Sequence, residues 1–286
     1  MAPISRSRLF CTLLSAVMIG IASSGNMAEA QRAIPDDNLA YPVLITLKNG
    51  STGSGFYLNT SKAVYLVTAK HVLFDPKTQK LLGTALELLS YSKDPSDSSR
   101  NLITVDLSAV EMSGDIKPHP SEDVAVVKLS KIVPGGTTSS FSGAMVPGVT
   151  LNEMASGGLL AVNVDIVKMF NQVLTGNEVM FFGYPTSLGL KQLPQIDIHR
   201  PLLRKGIVAG TNPKTRSIIL DCPVFFGNSG GPVLELEKQP FSTTFKIIGV
   251  MSQYVPFVDG GRSFQILSNS GYSIATPMDF VLDLVK

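Results

Sequence analysis

Short apolar runs closed off by turn residues fill the chain from Tyr41 onward, and this pattern limits the fold most. Tyr41–Lys48 is rich in β-formers, Asn49-Gly50 is a hairpin signal, and further runs start at Ser54–Leu58 and Ala63–Thr68. Runs of similar length recur at Leu86–Tyr91, Ile103–Leu107, Val124–Leu129, Glu178–Phe182, Gly206–Ala209, Ser217–Leu220, Val233–Leu236, Phe245–Met251 and Ser263–Leu267. Strands this short and numerous, with Gly- and Pro-rich turns, predict an all-β sandwich or barrel rather than a parallel α/β sheet.

Two segments carry a helical pattern instead. Val164–Leu174 places Ile166, Met169, Phe170 and Val173 near one face, with Gly176 as a stop. At the C-terminus Thr276 is the expected N-cap, Pro277 the first helical residue and Asp279 the partner in a capping box. Phe280, Val281, Leu284 and Val285 then form the apolar stripe that packs on the body. Ser92–Asn101 and Lys131–Ser142 read as surface loops.

A content of 44% hydrophobic and 16% charged residues excludes a disordered or coiled-coil chain. The net charge of +2 comes without a basic block, so no nucleic-acid partner is expected. The first thirty residues have a different character. Arg6 and Arg8 precede an apolar run, Leu9–Ala22, and Ala28-Glu29-Ala30 follows with small residues at the two positions a signal peptidase reads. This predicts a signal peptide over residues 1–30, cleavage before Gln31, and an exported protein, periplasmic or extracellular. The run is shorter than the roughly 20 apolar residues of a membrane span, so no stable membrane insertion is expected after cleavage. Cleavage also removes Cys11, leaving Cys222 with no partner for an intramolecular disulfide.

The chemistry concentrates at Gly227-Asn228-Ser229-Gly230-Gly231-Pro232. A nucleophilic serine needs an exposed hydroxyl and backbone N–H groups aimed at the oxyanion formed on the attacked carbonyl, and the glycines permit both. Gly227, Asn228 and Ser229 are the candidate oxyanion-hole residues. The stretch also fits the nucleophile elbow of α/β-hydrolases, but those place the histidine after the serine. Here His71, His119 and His199 all precede Ser229. His71, at the end of an apolar strand, is the candidate base. His119 lies between two prolines and reads as a turn residue. Asp123, just before Val124-Ala125-Val126-Val127, is the candidate carboxylate that fixes the imidazole tautomer. A metal site from Asp115, His119 and Asp123 is disfavoured because Pro118 and Pro120 break the helix that would align them.

Thr68-Ala69-Lys70-His71, Asp123-Val124-Ala125-Val126 and the Ser229 hexapeptide, in the order His, Asp, Ser, resemble the trypsin/chymotrypsin-like serine peptidases. The likeness is nearest to the bacterial high-temperature-requirement (Deg-like) and glutamyl-endopeptidase-like branch. Gly53-Ser54-Gly55-Phe56, Gly183-Tyr184-Pro185, Gly206-Ile207-Val208, Ile248-Gly249-Val250 and Ala275-Thr276-Pro277 also fit that branch. The resemblance implies two six-stranded antiparallel barrels, about residues 40–135 and 160–276, and a C-terminal helix over 277–286; in a departure from many high-temperature-requirement relatives, no PDZ module is expected. It implies a serine endopeptidase acting on a protein or peptide substrate through an acyl-enzyme, without a cofactor. It also puts the substrate pocket at Pro223, Val250, Met251 and Ser252. With no acidic residue at Pro223, a small or medium apolar preference is expected rather than one for Lys or Arg. Asn228 stands where zymogen-activated relatives carry an aspartate that pairs with a freed N-terminus, so that activation is not expected. Two rivals stay open: a protease-like scaffold without turnover, and an esterase or thiol hydrolase working through Cys222.

Overall fold

The computed structural model describes residues 39–94, 96–132, 144–186, 192–239, 242–261 and 264–286, all within one compact unit. The expected signal segment, residues 1–30, and most of the Lys131–Ser142 loop lie outside them.

Strands β1 (Pro42–Leu47), β2 (Thr52–Asn59) and β3 (Ala63–Thr68) form the expected meander. Its first turn is closed by Gly50 at φ +85° and by the Ser51 N–H donating to Asn49 Oδ1. A one-turn helix, α1 (Lys70–Leu73), follows β3, and then come β4 (Ala85–Tyr91) and β5 (Arg100–Asp106). Helix α2 (Leu107–Met112) starts where the Asp106 carboxylate accepts from the N–H groups of Ser108 and Ala109, which otherwise lack partners at a helix start. Strands β6 (Ile116–Pro118), β7 (Ala125–Lys131), β8 (Ala144–Met145), β9 (Val149–Glu153) and β10 (Val162–Asn163) complete the first sheet. Its order is β6-β7-β3-β2-β1-β4-β5-β9, with β8 on β7 and β10 parallel to β2. The sheet is antiparallel apart from that pair and is not a closed six-stranded ring among the described residues. Residues alternate in and out along β5, so Ile103 and Val105 enter the core with Val43, Ile45, Leu66 and Val127.

The second half closes fully. Strands β11 (Glu178–Gly183), β12 (Leu202–Asn212), β13 (Ser217–Asp221), β14 (Pro232–Gln239), β15 (Ser242–Gly261) and β16 (Phe264–Pro277) form a barrel in the order β11-β12-β13-β16-β15-β14. Val179, Phe181, Val208, Ile218, Leu220, Val233 and Ile248 fill it. Full burial of side chains of this size stabilises by about 1.5–3 kcal/mol each. Helix α3 (Met278–Val285) ends the chain.

The first helix expectation and the capping of the second need correction. Val164–Leu174 contains only two 3₁₀ turns, Val164–Ile166 and Phe170–Gln172. Between them Val167 pairs with Ile247, and Lys168 is buried against Glu235 at 3.0 Å and Glu237 at 2.6 Å. Tertiary pairing to the barrel overrides the helical spacing. At α3 the N-cap is Pro277, because Thr276 is still paired with Val250 in the sheet. Asp279 closes no capping box; its carboxylate accepts from the Phe170 N–H at 2.8 Å and from Arg216 at 2.5 Å.

Candidate active site

His71 is set by the short turn after β3. Thr68 ends the strand, Ala69 stays extended at φ −70° and ψ 140°, and burial of Val72 and Leu73 leaves the His71 ring part-exposed. Asp123 arrives on a neighbouring turn braced by His119. The His119 N–H donates to the Val124 carbonyl at 2.8 Å, and its Nδ1 accepts from the N–H of Glu122 at 3.0 Å and Ser121 at 3.3 Å. Lys70 ties the two turns together by donating from Nζ to the His119 carbonyl at 3.0 Å. His119 is therefore a structural brace, as its flanking prolines suggest. His199 sits exposed in another loop, its N–H held by Asp197. Asp115 pairs with Lys128 at 3.1 Å.

The Asp123 carboxylate receives three donors. Its Oδ2 lies 2.8 Å from His71 Nδ1, its Oδ1 accepts the His71 backbone N–H at 3.0 Å, and the Ser252 hydroxyl donates to Oδ2 at 2.6 Å. Burial pushes this carboxyl up. The His71 ring, the Ser252 hydroxyl and the His71 amide together outweigh that effect and hold it below the usual carboxylate range. An ionised carboxylate at Nδ1 selects the tautomer with its proton there, leaving Nε2 free to accept.

Ser229 meets the same cluster through Ser252. Its hydroxyl donates to the Ser252 carbonyl at 3.5 Å, and the Ser252 side chain in turn reaches Asp123. Among the described residues no hydrogen bond joins Ser229 Oγ to His71. The Ser229 turn is locked to β15 by the Gly230 N–H donating to Met251 O at 2.7 Å and the Met251 N–H donating to Gly231 O at 2.9 Å. Gly230, at φ +93°, has no room for a side chain: a Cβ would fall 2.0 Å from the Ser54 carbonyl oxygen.

The candidate oxyanion donors divide. The Asn228 N–H donates to Phe225 O at 3.0 Å and is not free for an oxyanion, which corrects the expectation for that residue. The N–H groups of Gly227 and Ser229 meet no acceptor among the described residues. The Phe226 carbonyl accepts from the Thr186 N–H at 3.0 Å. A trans peptide directs its C=O and N–H oppositely, so the Gly227 N–H faces away from Thr186.

The expected substrate-pocket residues also divide. Val250 and Met251 are fully buried, and Met251 packs into the barrel core with Cys222 and Val224. Neither lines the groove beside His71. Ser252 lines a groove of about 330 Å³ with Lys70, His71, Glu122, Asp123 and Gln253, and Pro223 is half-buried. The exposed aromatics beside the serine were not among the expected pocket residues. Phe226 stands edge-on to Tyr254 with ring centres 5.9 Å apart, and the Arg204 guanidinium lies over Phe225 at 4.7 Å. Two aromatic residues directly before the Gly227 turn were the available signal. Also missed were Ser54, present only as part of a motif, and Ser252 as a donor to Asp123.

Residues 53–240 match the sequence pattern of the trypsin-like peptidase domain. The chain belongs to the trypsin-like peptidase family. Solved structures similar to this trypsin-like peptidase include proteins described as serine proteases, Deg5 and the HtrA-type protease AlgW among them. A thermostable serine protease, AL20, from an extremophilic microorganism shares 13% identity at a TM-score of 0.51, with 87% of this chain and 96% of that one covered. Deg5 shares 19% at 0.49, covering 86% and 88%. A serine endoprotease from Yersinia pestis shares 16% at 0.44; 86% of this chain is covered but only 61% of that protein's length. Likenesses at this level of identity concern the fold. No curated protein matches the sequence.

Proposed function

We propose that this trypsin-like peptidase is an exported serine endopeptidase in which Ser229 is the nucleophile, His71 the base and then the acid, and Asp123 the group that orients His71. One observation carries the reading: the Asp123 carboxylate accepts from His71 and from Ser252, while the Ser252 carbonyl holds the Ser229 hydroxyl.

For attack, the Ser229 hydroxyl must leave the Ser252 carbonyl and meet Nε2 of His71. Nε2 then takes the hydroxyl proton as Oγ bonds to the substrate carbonyl carbon. Negative charge moves to the carbonyl oxygen, where the N–H groups of Gly227 and Ser229 meet it. Collapse breaks the C–N bond, and the leaving amine takes the proton from Nε2. Water, deprotonated by the same nitrogen, then attacks the ester and releases the acid and the Ser229 hydroxyl. Asp123 keeps Nδ1 protonated and stabilises the imidazolium throughout. Side chains, backbone N–H groups and water supply all the chemistry in this mechanism, so it calls for no cofactor. Phe226, Tyr254 and the uncharged Pro223 favour apolar substrate residues over Lys or Arg.

The test is incubation with casein and a peptide library, with new termini read by mass spectrometry. Cuts made by the wild type and absent with Ser229→Ala support the reading. A well-folded wild type that makes no cuts favours the scaffold alternative, which the Ser229–Ser252 hydrogen bond would fit as a resting nucleophile. Export predicts a secreted product whose first residue is Gln31.

A further inference from the structure

We infer that Ser54, a residue of the first sheet, positions the oxyanion loop of the second barrel and so makes the nucleophile's N–H donors competent; this rests on the peptidase reading above. Ser54 is fully buried. Its hydroxyl donates to the Gly227 carbonyl at 2.7 Å and accepts the Tyr184 N–H at 2.9 Å. Its backbone N–H donates to the Ser229 carbonyl at 2.8 Å, and its own carbonyl accepts from the Thr68 hydroxyl at 2.7 Å. One residue of β2 thus bonds to both residues whose N–H groups stand free beside the nucleophile.

The loop needs such an anchor. Gly227 sits at φ +91° with no side chain, and peptides flanking a glycine rotate readily unless they are bonded. Both of its peptides are pinned, and both pins lead back to β2. The peptide after Gly227 is held by Ser54. The peptide before it is held through the Phe226 carbonyl by the Thr186 N–H, and the Thr186 hydroxyl is paired with Thr52 Oγ1 at 2.7 Å. Residues 52 and 54 lie two apart on one strand and therefore share a face.

The loop's own buried side chain gives no comparable hold. Asn228 is 1% exposed, and neither Nδ2 nor Oδ1 has a partner among the described residues. The bonds to β15 hold Gly230 and Gly231, whereas the hold on Gly227 leads to β2, so docking of β2 against the turn keeps the donors in place.

Ser54→Ala tests this in the full chain. Loss of one oxyanion donor commonly costs about 10²–10³-fold in kcat, so a fall of about 10²-fold in kcat with little change in KM is expected. A peptide aldehyde, whose adduct carries the oxyanion, should lose affinity by a similar factor. The pH profile of kcat/KM should stay where it is, because the Ser54 hydroxyl touches neither His71 nor Asp123. Thr52→Val, which removes the other pin from a part-buried site, should lower kcat by roughly 10-fold with KM unchanged, on the same reasoning. It decides the matter alone if Ser54→Ala does not fold. Unchanged kcat and aldehyde affinity in a folded Ser54→Ala, or in Thr52→Val if that is the only folded variant, would overturn the inference and leave the peptidase reading intact. So would a displaced pH profile. A wild type that neither cleaves peptides nor binds the aldehyde would end the peptidase reading, and this inference with it.

Discussion

The Ser252 hydroxyl, on β15 of the second barrel, donates to Oδ2 of Asp123 at 2.6 Å, across from the first sheet. This bond favours the charged carboxylate and is one reason Asp123 lies below the usual carboxylate range, against the opposing effect of its burial. A carboxyl depressed in the folded state adds stability above its unfolded value, near 3.9, and that stability is lost as pH falls through the folded value. Ser252→Ala should therefore be less stable than wild type at pH 7, with the gap narrowing below about pH 4. Melting temperatures across that range are the check; a gap constant with pH would contradict it. Activity should also fall by roughly 10-fold, the scale of a hydrogen bond to a charged group.

Gly230→Ala should prevent folding or lower stability by more than about 4 kcal/mol, the range reserved for direct clashes and strained backbone. The added Cβ would meet the Ser54 carbonyl oxygen at 2.0 Å and the Thr68 hydroxyl at 2.2 Å, in a φ region that side chains avoid. A urea midpoint near the wild type's would show that the two halves are not seated this closely.

Lys168 is almost fully buried between Glu235, which is 0% exposed, and Glu237. Lys168→Met leaves a buried carboxylate without its cation and should cost about 3–5 kcal/mol. The double variant Lys168→Met, Glu235→Leu should recover much of that loss. Denaturant unfolding of both proteins measures it, and no recovery in the double variant would mean that packing, not charge, dominates there.

Cys222 is buried, and burial pushes its thiol up to about 11. At pH 7.5 only about one molecule in 10³–10⁴ then carries the reactive thiolate. Iodoacetamide should leave the folded protein unmodified and label it after unfolding, and Cys222→Ala should keep its activity within about twofold, the behaviour of an inert buried thiol. Loss of turnover in that variant would favour a thiol hydrolase.

Much of the fold was legible because local pattern and global fold agree. β3 runs from Ala63 to Thr68 as read, and the register of the Asn49-Gly50 hairpin follows from its turn. β6, β8 and β10 span only two or three residues and leave no periodicity to detect. The five-residue β9 was also missed: only Val149 of its residues is buried, so alternation is weak. Val164–Leu174 misleads because its apolar spacing suits a helix, while Val167 and Lys168 are claimed by partners far away in the chain. The candidate site residues His71, Asp123 and Ser229 could be singled out by type and order. The bonds that seat them could not, because Ser54 and Gly227 lie 173 positions apart and only the closed structure brings them together.

The proposed mechanism depends on His71 activating the Ser229 hydroxyl. A fluorophosphonate probe, with the modified residue located by mass spectrometry, measures this most directly. Stoichiometric labelling of wild type on Ser229 and loss of labelling in folded His71→Ala are expected. An unlabelled folded wild type, or a His71→Ala variant labelled as fast as wild type, would contradict it.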